Sequence, residues 1–143
     1  MPIDIYKKIK LGKETFLPIP AADGTFKMDW WMEAGGSVPN HVHRYMDEHF
    51  TIISGTATFN VAGKTEVKQA GESLFIPKGT IHGIKNKSTT TLNIQVVYTP
   101  PSDTVQMFQI IHFLNQKYPD QASNMVKYFY MFPRLGLLPF SEI

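Results

Sequence analysis

Residues 35–55 read GGSVPNHVHRYMDEHFTIISG: a glycine pair, three histidines and two acids within ten positions, then an apolar run closed by glycine. Scattered over a surface, such polar residues need no common explanation. Here they directly precede "TII", which reads as the inside of a sheet, so the issue is whether their side chains converge. On an extended chain, residues two apart point the same way, so His41 and His43 can share an inward face while Val42 turns away. Glu48 follows "RYMD", and a bend there can return its carboxylate to the pair. His49 is the alternative third member, although it and Asp47 point to the opposite face if the segment is extended. With no cysteine in 143 residues, disulfides, thiolate ligands and thiol nucleophiles are excluded. Any metal ion has to be held by imidazole, carboxylate or other oxygen groups.

Outward from this stretch the pattern is that of short strands. Residues 26–34, FKMDWWMEA, place Phe26, Met28, Trp30, Met32 and Ala34 on one face and Lys27, Asp29, Trp31 and Glu33 on the other. "GGSVPN" breaks the regularity, because Pro39 lacks a ladder donor. Further strands are expected at 49–54, 56–61, 65–69, 73–76, 80–86 and 91–99, separated by glycine turns. So many short strands without helical crossovers predict antiparallel pairing in a sandwich or barrel. After "TPPSDT", Ser102 or Asp103 can cap a helix over 104–117 with Val105, Phe108, Ile111 and Leu114 inward. A second helix is expected over 120–131, with Ala122, Met125, Val126 and Phe129 inward. His112 reads as a packed structural histidine, and the apolar end, residues 131–143, as a cover for the sheet, the barrel mouth or a second subunit.

A net charge of +2 is too weak to argue for nucleic acid. Residues 64–87 hold five lysines against two glutamates, which reads as a solvated face. No secretory leader pattern and no apolar run long enough to span a bilayer is present, so a cytoplasmic location without membrane association is expected. Nucleotide-binding glycine motifs and a nucleophile-elbow serine are absent.

A second stretch, GESLFIPKGTIHGIKN at 71–86, turns the histidine cluster into a pattern. Gly35, His41, His43, Glu48 and Gly55, followed by Gly71, Pro77, Gly79, His82 and Asn86, stand at the intervals of the two motifs of the cupin superfamily, and the chain resembles its small single-domain, cupin 2 type members. The resemblance covers 35–86 by motif and 24–100 by strand pattern. It implies an all-β fold, a double-stranded β-helix (jelly-roll) barrel of six to eight strands, here with a C-terminal helical extension. The division implied is an N-terminal arm or edge strands over 1–23, the barrel over 24–100, and a helical extension over 101–143 packed on the barrel or at an oligomer interface.

It also implies a metal site of His41, His43, Glu48 and His82 holding one divalent transition metal, iron, manganese, nickel or zinc. Such a donor set on an octahedral ion leaves two positions for water, substrate or dioxygen. The glycines and Pro77 read as turn and bulge residues, and Asn86 as a turn cap or a supporting contact behind the ligands. The same cage serves many activities in the family, so fold and cage do not identify a substrate. The expectation is a metal-dependent dioxygenase resembling quercetin dioxygenase-like small cupins, acting on a small enol, diketone or phenolic compound. Glu48 is its catalytic proton acceptor, and Phe26, Met28, Trp30, Phe59 and Phe75 are its candidate pocket lining. The alternatives are a non-oxidative isomerase or lyase and a non-catalytic small-molecule-binding domain. Trp31, Val97 and the apolar tail are compatible with a homodimer.

Overall fold

The computed structural model describes residues 3–126. Ten strands precede two helices: β1 (Ile9–Leu11), β2 (Glu14–Ile19), β3 (Phe26–Met32), β4 (Ser37–His41), β5 (Asp47–Ser54), β6 (Thr56–Val61), β7 (Lys64–Gln69), β8 (Ser73–Ile76), β9 (His82–Lys85), β10 (Leu92–Thr99), α1 (Thr104–Lys117) and α2 (Ala122–Val126). They form a six-stranded sheet of order β1-β2-β3-β10-β5-β8 and a four-stranded sheet of order β4-β9-β6-β7. All pairings are antiparallel. This is a jelly-roll, the double-stranded β-helix. Eight of the strands, β3 to β10, are those expected of such a barrel, and β1 and β2 widen one sheet beyond it.

Register turns the alternation in the sequence into layers. Across the larger sheet, Phe26, Tyr98, Glu48 and Ile76 lie opposite one another in one row, and Met28, Val96, Phe50 and Leu74 in the next. All but Leu74, which is partly buried, are buried. Fully burying one apolar side chain of this size contributes about 1.5–3 kcal/mol, a gain that Glu48, as a buried carboxylate, does not share. Between rows, Lys27, Val97, His49 and Phe75 face outward together. Trp31 shares this outer face, half-buried, with the Lys8 ammonium 4.7 Å from its ring centre.

Several sequence expectations shift. Residues 37–40, part of the stretch read as a break, join His41 in β4, which pairs with β9 across a register shift between Val38 and His41. It is an edge strand, so the missing donor of Pro39 disrupts no inner ladder. Strand 80–86 contracts to β9. Asp103 occupies the N-cap of α1 but makes no side-chain capping bond; the Thr104 hydroxyl instead meets the Pro101 carbonyl. Phe108, fully buried, packs edge-on against Phe16 and flat against Phe26, with ring centres 5.6 and 5.5 Å away. Ile111 is buried beside it, while Val105 and Leu114 are partly buried. Of the second expected helix, Ala122–Val126 is seen; Phe129 and the apolar end at 131–143 lie outside the described residues.

Gly55, at φ +90°, makes the turn between β5 and β6, where a Cβ would sit 3.1 Å from both Leu92 Cα and the Thr91 carbonyl oxygen. Asn86, 1% exposed, lies against the same stretch, beside Thr90. Its amide donates to the carbonyls of Met32 and Thr90, both at 2.8 Å, and its side-chain oxygen accepts from the Ser88 backbone N–H and hydroxyl at 3.1 and 2.7 Å. These bonds tie the 86–90 turn to the end of β3; the contact behind the metal ligands proposed from sequence is not among them. Replacing Asn86 by Ala removes these four contacts, although the Thr90 carbonyl keeps the Ser88 hydroxyl as a donor, at about 1 kcal/mol per bond lost. Asn86→Ala is accordingly expected to lower unfolding free energy by about 2–4 kcal/mol in urea titration while leaving the metal content of the folded protein unchanged.

Candidate metal centre

The four histidine and glutamate residues implied by the motif come together from both sheets. His41 ends β4 directly opposite His82, which begins β9, and Glu48 reaches them from β5 in the facing sheet. His43 lies just beyond β4, where its carbonyl accepts the Gly79 N–H at 2.7 Å. That bond ties the first motif to the second. The four ligand atoms all lie within 4.8 Å of one another. Strand alternation is not what aligns His41 with His43, because the strand stops between them, and Val42, expected outside, is buried at 6%. His49 faces outward and is exposed, so Glu48 is the third member.

Two backbone carbonyls fix the imidazoles. His41 Nδ1–H donates to the Pro39 carbonyl at 2.8 Å and His82 Nδ1–H to the Thr80 carbonyl at 2.9 Å. A carbonyl can only accept, so these bonds place the proton on Nδ1 and leave Nε2 as the lone-pair nitrogen. His82 Nε2 then lies 2.6 Å from Glu48 Oε2, and His43 Nε2 lies 2.9 Å from Glu48 Oε1. Despite the short approach, neither His82 Nε2 nor Glu48 Oε2 has an aligned hydrogen-bond partner. Two lone pairs face each other in a dry interior, and only a positive charge between them, a proton or a metal ion, makes the arrangement favourable. Imidazole and carboxylate are also the donor set that iron(II), manganese(II), nickel(II) and zinc(II) accept. The residues therefore fit a metal ion.

The titration behaviour follows from the same packing. Burial alone would raise the Glu48 pKa, but positive charge on the His43 and His82 imidazoles beside it reverses this and holds it well below the usual carboxylate value. His41 is pushed well below the usual imidazole value, first by burial and then by His82 and His43 beside it. The fifth histidine, His112, stands apart on α1, beside the Ile5 backbone, with its pKa lowered by burial.

Comparison with known proteins agrees with this fold. Residues 28–98 match the family described as Cupin domain. The chain belongs to the cupin superfamily. Among solved structures, this cupin is similar to an RmlC-like cupin from Shewanella frigidimarina, with a TM-score of 0.63 and 20% identity over 70% of this chain and 88% of that one. It is likewise similar to KdgF from Halomonas sp., with a TM-score of 0.62 and 15% identity over 69% and 90%. Among curated proteins, mannose-1-phosphate guanylyltransferase 2 of Escherichia coli O157:H7 is 30% identical over 63 residues, 44% of this chain and 13% of that enzyme. The match thus spans only about an eighth of that relative.

In this cupin the cluster forms one end of a cavity with about 90 Å³ of free space. Met28, Trp30, Phe50 and Phe59 supply walls from the sheets, and Met107, Phe108, Ile111 and Val126 cover it from α1 and α2. Two of the aromatic residues expected in the lining are elsewhere. Phe75 is 57% exposed on the outer face, because β8 turns Leu74 and Ile76 inward. Phe26 is buried against Tyr98 and Phe108, outside the lining. The residues that sequence reasoning missed are the helical ones, Met107 and Val126 among them, and Glu14, a second buried carboxylate on the lining.

Both pKa shifts make the folded metal-free protein acid-sensitive. Glu48 titrates below its unfolded value of about 4.5, so its contribution is present above that value and is lost as pH falls through the folded one. His41 stays neutral where the unfolded chain, near 6.5, already binds a proton, so its contribution is complete above that pH and declines below it. Unfolding free energy of chelator-treated protein is expected to fall continuously from pH 7 to pH 4. In His41→Gln the slope between pH 6.5 and 5 should flatten; an unchanged slope would show that burial of His41 is not its source.

Proposed function

We propose that this cupin holds one divalent transition metal ion through His41, His43, Glu48 and His82 and acts as a dioxygenase on a small enol, diketone or phenolic compound. The observation that carries this reading is the opening of a buried three-histidine, one-carboxylate cluster into a mostly apolar cavity with no lysine or arginine among its described lining residues. When bound, the ion supplies Lewis acidity and, as iron, the electrons of dioxygen chemistry. The chain supplies the rest. Pro39 and Thr80 hold the imidazoles in the tautomer that presents Nε2. Glu48, ionised at neutral pH, is the base within the cluster that can accept the proton an enol gives up. Met107, Phe108 and Ile111 keep bulk water away from that proton transfer.

The curated relatives act on a sugar phosphate, as mannose-1-phosphate guanylyltransferases. A phosphate in this cavity would find no lysine or arginine partner among the described lining residues, and a sugar's hydroxyls would face mostly apolar walls. The lining favours a weakly polar molecule that offers its oxygens to the metal end.

Elemental analysis of protein purified without added metal or nickel resin is expected to find about one equivalent of a transition metal. His82→Ala, which removes a ligand, should weaken metal affinity by at least the roughly 10–100-fold that follows loss of a mere supporting contact. Dioxygen uptake is then expected with short diketones, enols or phenols. Product without oxygen consumption would replace the dioxygenase by a non-oxidative isomerase or lyase. A retained metal with no turnover across the panel would leave a binding domain.

A further inference from the structure

The outer face of the four-stranded sheet takes no part in the metal site, and its side chains form a groove of their own. Ala57 and Phe59 of β6 and His82 and Ile84 of β9 point inward and are buried, so Thr58, Asn60, Gly83 and Lys85 lie on the outer face. Pairing arranges that face in two rows: Gly83, Asn60 and Thr65 in one, and Ser37, Lys85, Thr58 and Val67 in the other. Gly83 leaves the first row without a side chain where Asn40 of β4 lies over it; a Cβ there would stand 2.5 Å from the Asn40 side-chain oxygen. The open groove that results has about 370 Å³ of free space, against about 90 Å³ in the metal cavity.

The chemistry of this groove is one-sided in charge and mixed in hydrogen bonding. Lys85 and Lys87 line it, both exposed, and no carboxylate is among its described lining residues. Neither ammonium has an ion-pair partner among the described residues. Asn60 accepts the Gly63 N–H at 3.1 Å on its side-chain oxygen, which leaves its NH2 to donate, and the hydroxyls of Thr58 and Thr65 add both donors and acceptors. On a flat surface such groups are simply hydrated. Gathered in a groove, two ammonium groups without a countercharge attract an anion, and the amide and hydroxyls beside them match a ligand itself rich in hydroxyls. Phe59 is buried beneath, so the described lining exposes no ring on which a nucleic-acid base would stack. We propose that this groove binds a polyhydroxylated anion, a sugar acid or a sugar phosphate, with Lys85 and Lys87 on the acid group and Thr58, Asn60 and Thr65 on the hydroxyls. The site lies on the far side of the sheet from the metal cluster and needs no metal.

The probes are gluconate and glucose-6-phosphate, with sorbitol and inorganic phosphate standing for the hydroxyls and the charge alone. In amide NMR spectra of the full chain, at least one of the two sugar anions is expected to shift the resonances of Thr58, Asn60, Gly83 and Lys85 and to saturate at lower concentration than sorbitol or phosphate. Whichever of the two binds tighter identifies the acid group. By calorimetry, its affinity should be equal for protein as purified and after chelator treatment. Joint replacement Lys85→Gln and Lys87→Gln, at exposed positions, should weaken it by roughly fivefold at low ionic strength, and added salt should weaken it in the parent protein. Thr58→Val keeps the shape of the side chain without its hydroxyl, and should weaken the sugar anion by roughly two- to tenfold while leaving inorganic phosphate unchanged. Binding of neither sugar anion, a response no stronger than that to sorbitol, an affinity unmoved by the double lysine replacement, or a requirement for metal would overturn the proposal; the last would place the probe at the cluster.

Discussion

At the centre of the barrel, a histidine lone pair and a carboxylate lone pair face each other at 2.6 Å with no water to separate them. Left without positive charge, that contact is repulsive, and much of the surrounding structure serves to impose it. The β4–β9 pairing sets His41 against His82, β5 delivers Glu48 from the other sheet, and the Gly79 N–H clamps the carbonyl of His43. Carbonyls at Pro39 and Thr80 prevent two of the rings from turning their protonated nitrogens inward to relieve it. A hydrophobic cluster of the same volume would pack at lower cost, since removing charges from water is expensive even when they are paired. A proton or a metal ion between the lone pairs would return that cost, and a bound metal ion would thereby couple the site to the stability of the fold.

The same constraint explains what could be read in the sequence. Ten residues at fixed intervals, from Gly35 to Asn86, were legible because each interval is set by a turn or a strand crossing that the cluster requires. Convergence of His41, His43, Glu48 and His82 followed, although the reason given for the first pair did not survive. His43 is placed by its backbone bond to Gly79, a contact 36 positions distant that no local period encodes. Val42 is buried for the same reason: beyond the end of β4, alternation no longer assigns faces.

Elsewhere, misreadings trace to apolar runs whose period is ambiguous. "SLFI" contains three consecutive large apolar residues, and only the pairing of β8 with β5 reveals that Phe75 shares its face with exposed His49 while Leu74 and Ile76 turn inward. Phe26 alternates correctly, yet Phe108 of α1 lies flat upon it and takes the place that the cavity would have occupied. Position within a sheet is local information. Which part of a face remains open depends on what a helix 80 residues later covers, and that is tertiary.

That helical cover gives the shared cage its individual character. Metal and ligands alone are common to reactions of very different substrates, so selection has to come from the walls. Here no lysine or arginine is among the described lining residues, so positive charge offered to a ligand would come from an ion held by the cluster. Two carboxylates, Glu14 and Glu48, line the same space, and both are buried. A dianionic ligand would meet repulsion and desolvation with little to offset either, whereas a neutral or singly charged one loses only as much hydration as the cluster replaces. Met107, Phe108, Ile111 and Val126 then act on size, since they close over a space too small for a large ring system. Polarity is thus filtered by side chains of the sheets and bulk by side chains of the helices. Changes in the helical segment can alter which molecules enter without disturbing the lone pairs around which the barrel is built.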